Sequence, residues 1–261
     1  MIRSNEAPSA DAIDLEHLRF ANAVTLGQAV RRCNAHATYQ DQAADCVVDY
    51  FYNTFRDPLT GLPGCALVRC FQTHPFADLP REAQDAALRI DPASASIEGL
   101  RCLALLASRG EEARWNGVAG SVKHRAIPLP TTAMIERTPM ISRLLEQMGL
   151  EARNIVEPHT RALMSESQYR NFGVFHVETA AGSEYLPLQQ TFIEQYGIRS
   201  VVGMGGLLPS GELFAVILFA RVVISEEVAA LFRTIALSVK LAFLPYAANE
   251  VFTEDISGKL L

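Results

Sequence analysis

The sequence predicts an α+β fold (an α/β sandwich), with an antiparallel sheet flanked by helices. Three observations predict it. Residues 198–207 and 213–220 are apolar runs on either side of Leu208-Pro209-Ser210-Gly211. Proline at the second turn position and glycine at the fourth suit a type I β-turn, so this stretch reads as a buried hairpin. Next, Val228, Leu231, Phe232, Ile235, Val239, Ala242 and Phe243 recur at helical spacing. Ser225 is placed to cap that helix, Glu226 and Glu227 sit in its first turn, and Pro245 stops it. Finally, the remaining apolar segments read in the order helix, strand, strand, helix, strand, helix before the hairpin and last helix, which suits a sheet with helices against it.

Taken in order, residues 1–11 are polar and expected to fray. From Asp14 to about Arg56 apolar residues fall at helical spacing, with Gly27 and the polar patch at 34–42 predicting a break between two helices. Residues 57–64, DPLTGLPG, form a dense turn cluster and the first boundary. Residues 65–74 read as the first strand of the sheet and 81–90 as a short helix. Residues 100–108, LRCLALLAS, are apolar enough for a central strand. A polar, proline-rich connection runs from 109 to 130. Residues 139–148 place Met140, Ile141, Leu144, Leu145 and Met148 on one side of a helix that Gly149 caps. Over 172–178, Phe172, Val174 and His176 point one way and Gly173, Phe175 and Val177 the other, as in a half-buried strand. Residues 187–196 read as a helix ended by Gly197 in the left-handed conformation. The last helix carries a second, offset stripe of Leu237, Leu241 and Leu244. One stripe can pack on the hairpin; the other calls for a partner helix, from this chain or a second copy.

Composition narrows the function classes. Of 261 residues, 49% are hydrophobic and 20% charged, which supplies a core and carries no disorder signature. The net charge is −6 and the 23 Lys and Arg are scattered. No basic stripe is available for a phosphate backbone, so no nucleic-acid partner is expected. The N-terminus lacks a signal-peptide pattern, and the run at 213–220 falls far short of the roughly 20 residues that span a bilayer. No membrane role is expected. Cys33, Cys46, Cys65, Cys70 and Cys102 leave at least one thiol unpaired; without an export signal they read as reduced thiols of a cytoplasmic protein.

Motifs for chemistry are missing. The sequence has no HExxH, CxxC pair, Walker loop or Gly-x-Ser-x-Gly elbow. Gly203-Met204-Gly205-Gly206 follows a strand but precedes a turn and another strand, so it is no dinucleotide loop. Its glycines read instead as room for a helix or ligand packed on that strand. Cys70 and His74 make a zinc pair without a second pair. His124, His159 and His176 could converge only through the fold, and His176 reads as a hydrogen-bonded core residue. Cys102, inside an apolar strand, reads as an inert buried thiol. No catalytic residue or metal ligand is assigned, and the cofactor is left unknown.

The stretch YGIRSVVGMGGLL, its turn, GELFAVILFARV and the capped helix resemble the closing half of a GAF domain, a small-molecule sensor module of bacterial signalling proteins. CALVRCFQTH (65–74), HRAIPLP (124–130), PMISRLLEQMGL (139–150) and NFGVFHVETAAGSEYLP (171–187) are similar to GAF-like segments found ahead of histidine kinases and nucleotide cyclases. The resemblance covers roughly residues 60–245. It implies an N-terminal helical extension (1–56), a GAF-like sensory domain (57–245) and a C-terminal tail (246–261). It further implies a non-catalytic sensor that binds a small molecule, pairs as a homodimer through terminal helices, and acts on a partner such as a histidine kinase. The pocket would lie between the sheet and its covering segments, where Trp115, His124, Arg125, His176, Glu178, Tyr185, Phe192 and Tyr196 are available as ligand-binding residues. Only about sixteen residues follow Pro245, so a stand-alone receptor or a piece of a longer signalling protein is expected.

Two enzymes enter by the same route and fail on residues. Residues 57–64 are similar to the opening of diguanylate cyclase domains, yet Gly205-Gly206 is followed by Leu207 and Leu208 rather than carboxylates. The GAF-fold free methionine sulfoxide reductases use cysteines partly in the second half of the domain, and none follows Cys102 here. A thiol-dependent reductase, or a dimerisation scaffold without ligand, remains the alternative.

Overall fold

A computed structural model describes residues 12–121, 124–156, 172–246 and 251–253. The apolar runs become strands, buried on both faces except for the half-buried β3 and β4: β1 (Cys65–Pro75), β2 (Arg101–Gly110), β3 (Ala126–Pro128), β4 (Phe172–Val177), β5 (Ser200–Leu207) and β6 (Leu213–Ala220). They pair antiparallel throughout, in the order β3-β2-β1-β6-β5-β4. With its flanking helices this is the expected α+β architecture, consistent with a GAF-like fold. The 100–108 segment was expected at the centre; β1 and β6 hold that place, and β2 lies one strand from the edge. Its apolar character comes from cover on both faces rather than from centrality. The short edge strand β3, within HRAIPLP, had no strand signal of its own.

The helices are α1 (Phe20–Val30), α2 (Gln40–Thr54), α3 (Arg81–Ile90), α4 (Thr132–Glu136), α5 (Pro139–Gln147), α6 (Ala152–Val156) and α7 (Glu226–Phe243). Helices α1, α2 and α7 share a core with one face of the sheet, where Phe51, Phe55, Phe214, Phe232 and Phe243 are buried. Helices α4, α5 and α6 cover the other face. The expected helix at 187–196 is a π-helical turn, Gln189–Glu194, which Gly197 ends as foreseen. Gly149 closes α5 in the same way: its N–H donates to the Glu146 carbonyl and that of Leu150 to Leu145, the paired bonds of a Schellman motif.

The last helix starts and packs as read. Ser225 Oγ accepts the Val228 N–H at 3.3 Å, and Val228, Phe232, Ile235, Val239, Ala242 and Phe243 are buried. Its partner helix is α1, which runs alongside. Gly27 sits inside α1 rather than breaking it, because a Cβ there would lie 2.6 Å from Ser238 Oγ: glycine lets the two helices approach. Leu237 and Leu241 stay 44% and 37% exposed, as Phe20 and Val24 do on α1 at 63% and 36%. By length and composition α7 could cross a membrane, but half of it is buried in this fold.

Two further contacts correct or extend the sequence reading. Cys33 and Cys46 form a disulfide, their Cα atoms 5.5 Å apart, because α1 and α2 fold back on each other; only Cys65, Cys70 and Cys102 are free thiols. At one end of the sheet, buried Arg101 pairs with Glu212, and Thr73 Oγ1 donates to the same carboxylate at 3.0 Å while accepting the Leu213 N–H at 2.9 Å. A buried pair held this way fixes register more surely than it adds stability.

Candidate functional site

Strand register sets out the residues of the covered face in three rows. The first runs Gly110, Leu67, Phe219, Val201, Val177; the second Ser108, Arg69, Ile217, Gly203, Phe175; the third Leu105, Phe71, Ala215, Gly205, Gly173. Residues directly opposite in antiparallel strands share a face, so Arg69 stands among Leu67, Phe71 and Ile217. Neighbouring strands lie about 4.8 Å apart, which puts Arg69 and the side-chain-free Gly203 roughly 10 Å from each other.

Three segments close over these rows. Met148, at the end of α5, rests on Gly173 and Gly205, where any Cβ would overlap it. That realises one of the two uses read for the 203–206 glycines: a helix packs against the strand. The flap at 111–121 folds back on β2: the Gly117 N–H donates to the Ser108 carbonyl at 2.8 Å, and the Gly110 N–H to Asn116 Oδ1 at 3.0 Å. Trp115 lies on Gly110, whose missing Cβ would come within 2.7 Å of the indole. The third segment is the turn 178–197, closing on the flap.

The eight residues singled out in the sequence fall into three places. Trp115, Phe192 and Tyr196 meet in one aromatic cluster with Phe219, with ring centroids 4.5 Å (Trp115–Tyr196), 5.6 Å (Trp115–Phe192) and 5.1 Å (Phe192–Phe219) apart. The Tyr196 hydroxyl donates to Glu112 Oε1 at 3.0 Å, which clamps the flap to the turn. His176 and Tyr185 line an open depression of about 460 Å³ together with Arg143 and the turn at 179–184; Glu178 is exposed beside it. Arg143 lies 5.7 Å over the Tyr185 ring and pairs with Glu146. His176 Nε2 donates to the Ile224 carbonyl at 2.7 Å, the hydrogen-bonded role read for it. His124 and Arg125 lie at the β3 edge, across the whole sheet from β4, so His124 and His176 do not converge. His159 lies outside the described residues. Among the described residues no group of three His, Cys, Asp or Glu is arranged to hold a metal.

Arg69, Met148 and Arg143 join the candidate site from outside the eight residues singled out in the sequence, where Met148 was read only as part of an apolar helix face. Arg69 is 8% exposed; its Nε donates to Ser108 Oγ at 3.4 Å and its Nη2 to Ser121 Oγ at 3.1 Å. Burial alone lowers its pKa, to about 10, so the guanidinium stays charged at neutral pH. It makes no ion pair among the described residues. The available signal was a lone charge at an inward position of an otherwise apolar strand, CALVRCF. The thiols are different in kind: burial pushes Cys65 and Cys102 up to about 12 and Cys70 higher still, with Arg101 only partly offsetting this at Cys102.

Neither a family model nor a curated protein matches the chain. Among solved structures it is similar to the phycocyanobilin-bound GAF domain of a cyanobacterial phytochrome, at 12% identity over 86% of this chain and 95% of that one, with a TM-score of 0.40. At that score and identity the likeness carries no conclusion about this chain's ligand or role.

Proposed function

We propose that this chain is a non-catalytic cytoplasmic sensory domain. It holds a small molecule between the covered face of the sheet and its flap, and passes the occupancy through α1 and α7. The output is the pairing of two copies, or a separate signalling protein such as a histidine kinase. The alternation along β4 carries this reading. Phe172 and Val174 pack into the core shared with α7, while Gly173 sits under Met148 and Phe175 and Val177 face the cover. One edge strand therefore stands between the cover and the output helix, and a guest that shifts Met148 bears on α7 through it. Such a switch needs a guest that favours one helix arrangement over the other.

The exposed Phe20, Val24, Leu237 and Leu241 supply the face on which α1 and α7 would meet a second copy. The thiol-reductase alternative is poorly served: a thiol raised to about 12 provides almost no thiolate at neutral pH. Native mass spectrometry of freshly purified protein, with an absorbance scan of the same sample, tests the reading. The expected result is a mass above that of the bare chain, lost on denaturation. Bare chain alone, with no guest retained and none acquired from a small-molecule extract of its host, would point to the scaffold instead.

A further inference from the structure

Arg69 is an expensive residue to leave without a purpose. A charged group moved out of water into an apolar layer is strongly disfavoured unless an opposite charge and well-made hydrogen bonds accompany it. Arg69 sits between Leu67 and Phe71 on a central strand, beside Ile217 on the next, and among the described residues it reaches only two serine hydroxyls. Both are neutral, and together they engage two of the five guanidinium N–H donors. Among the described residues, the two carboxylates of the flap are committed elsewhere: Glu112 to the Tyr196 hydroxyl and Glu111 to Arg221.

The surroundings set the shape of the missing partner. Ser108 and Ser121 hold the guanidinium from the β2 side, Ser121 from within the flap. On the other side the same row continues through Ile217 to Gly203, where the nearest atoms to a built Cβ are 3.5 and 3.6 Å away on Phe175 and Ile217. Along this row stand a planar, doubly donating cation at one end and aliphatic and aromatic carbon beyond it. Carboxylates satisfy a guanidinium with two parallel hydrogen bonds, which a neutral amide cannot do.

We propose that Arg69 anchors the carboxylate of a small amphipathic acid, whose apolar body lies along the Ile217–Gly203 row beneath the flap. This deepens the sensory reading and rests on it. The head group of the guest enters as the counter-ion that the described residues do not supply, so binding neutralises a buried charge. Ser108 and Ser121 keep the fork in plane, and Ser121 ties acid binding to the position of the flap.

Octanoate, octanamide and octylamine, equal in length and different in head group, serve as probes by calorimetric titration and thermal shift. Wild-type protein is expected to bind octanoate at least tenfold more tightly than octanamide, and to show no shift with octylamine. Arg69→Met should lose the octanoate response while unfolding no lower than wild type, because it removes an unpaired buried charge; Arg69→Lys should retain part of the response. Should Arg69→Met fail to fold, Ser121→Ala replaces it, with an expected weakening for octanoate and none for octanamide. Equal affinity for acid and amide, or an undiminished octanoate response in Arg69→Met, overturns the assignment. So does a wild type that does not bind octanoate. In each case native mass spectrometry separates the two claims. A neutral or cationic guest on the same protein leaves the sensory reading standing and removes only the acid.

Discussion

Three glycines in two adjoining rows of the covered face should respond unequally to one added methyl group. At Gly205 a Cβ would overlap the Phe214 carbonyl oxygen and come within 2.6 Å of Met148 Cε. The first obstacle is backbone of the neighbouring strand and cannot turn aside. At Gly173 the Cβ would overlap Met148, including its own Cα, so the end of α5 would have to lift. At Gly203 the nearest atoms are 3.5 Å away or more, which is ordinary contact, and its φ is one that alanine adopts. Overpacking of a filled core costs typically 1–3 kcal/mol and more when backbone must move. Gly205→Ala and Gly173→Ala are therefore expected to lose about 3 kcal/mol or more in urea denaturation. Gly203→Ala should fall within about 1 kcal/mol of wild type on either side, since alanine also narrows the unfolded ensemble. A Gly205→Ala protein as stable as wild type, or a Gly203→Ala protein that loses more than about 2 kcal/mol, would refute the packing of Met148 and β6 described here.

Other perturbations have equally definite expectations. Ser225→Ala removes the α7 cap and should cost about 1 kcal/mol of unfolding free energy. Gly27→Ala should destabilise by roughly 1–2 kcal/mol through Ser238 Oγ, and Ser238→Ala in the same chain should recover much of that loss, a coupling read by a double-mutant cycle. Leu237→Asp with Leu241→Asp should leave the protomer's melting temperature within a few degrees while converting any dimer to monomer in light scattering. His74 is 5% exposed, and burial, with the Arg101 charge second, lowers its pKa to about 3. Between pH 6.5 and 3 the unfolded chain then binds a proton there that the folded chain does not. Stability should fall as the pH is lowered across that window, by up to about 1.4 kcal/mol per unit from this group, and His74→Phe should flatten the slope in acid unfolding curves.

The elements that were legible are those whose signal is local. The 198–220 hairpin, the Ser225 cap, the alternation of β4 and the left-handed Gly149 and Gly197 depend on nearest neighbours in sequence, and each stands where the residues indicated. What failed depended on pairing at a distance. Gly27 looked like a helix breaker because nothing in the chain near it announces Ser238. The Cys33–Cys46 bond depends on two helices folding back, and β2 looked central because burial on both faces imitates a middle strand. The site divides the same way. Trp115, Phe192 and Tyr196 were found by their place in the covering segments, and they meet. His124 and Arg125, chosen on the same ground, lie at the far edge, since strand order across six strands is not written in any one of them. Arg69 was passed over because a single charge in an apolar strand reads as ordinary until its neighbours across β2 and β6 are known.

The claim on which the rest depends is that occupancy of the covered face reaches α7. Hydrogen exchange on guest-loaded and guest-stripped protein reads this directly, since amide protection reports the local opening free energy of each element. The account predicts that stripping the guest changes protection in both the 111–121 flap and the helices Phe20–Val30 and Glu226–Phe243. A change confined to the flap and α5, with α1 and α7 exchanging alike in both samples, would contradict it: the domain would then bind without signalling through its terminal helices.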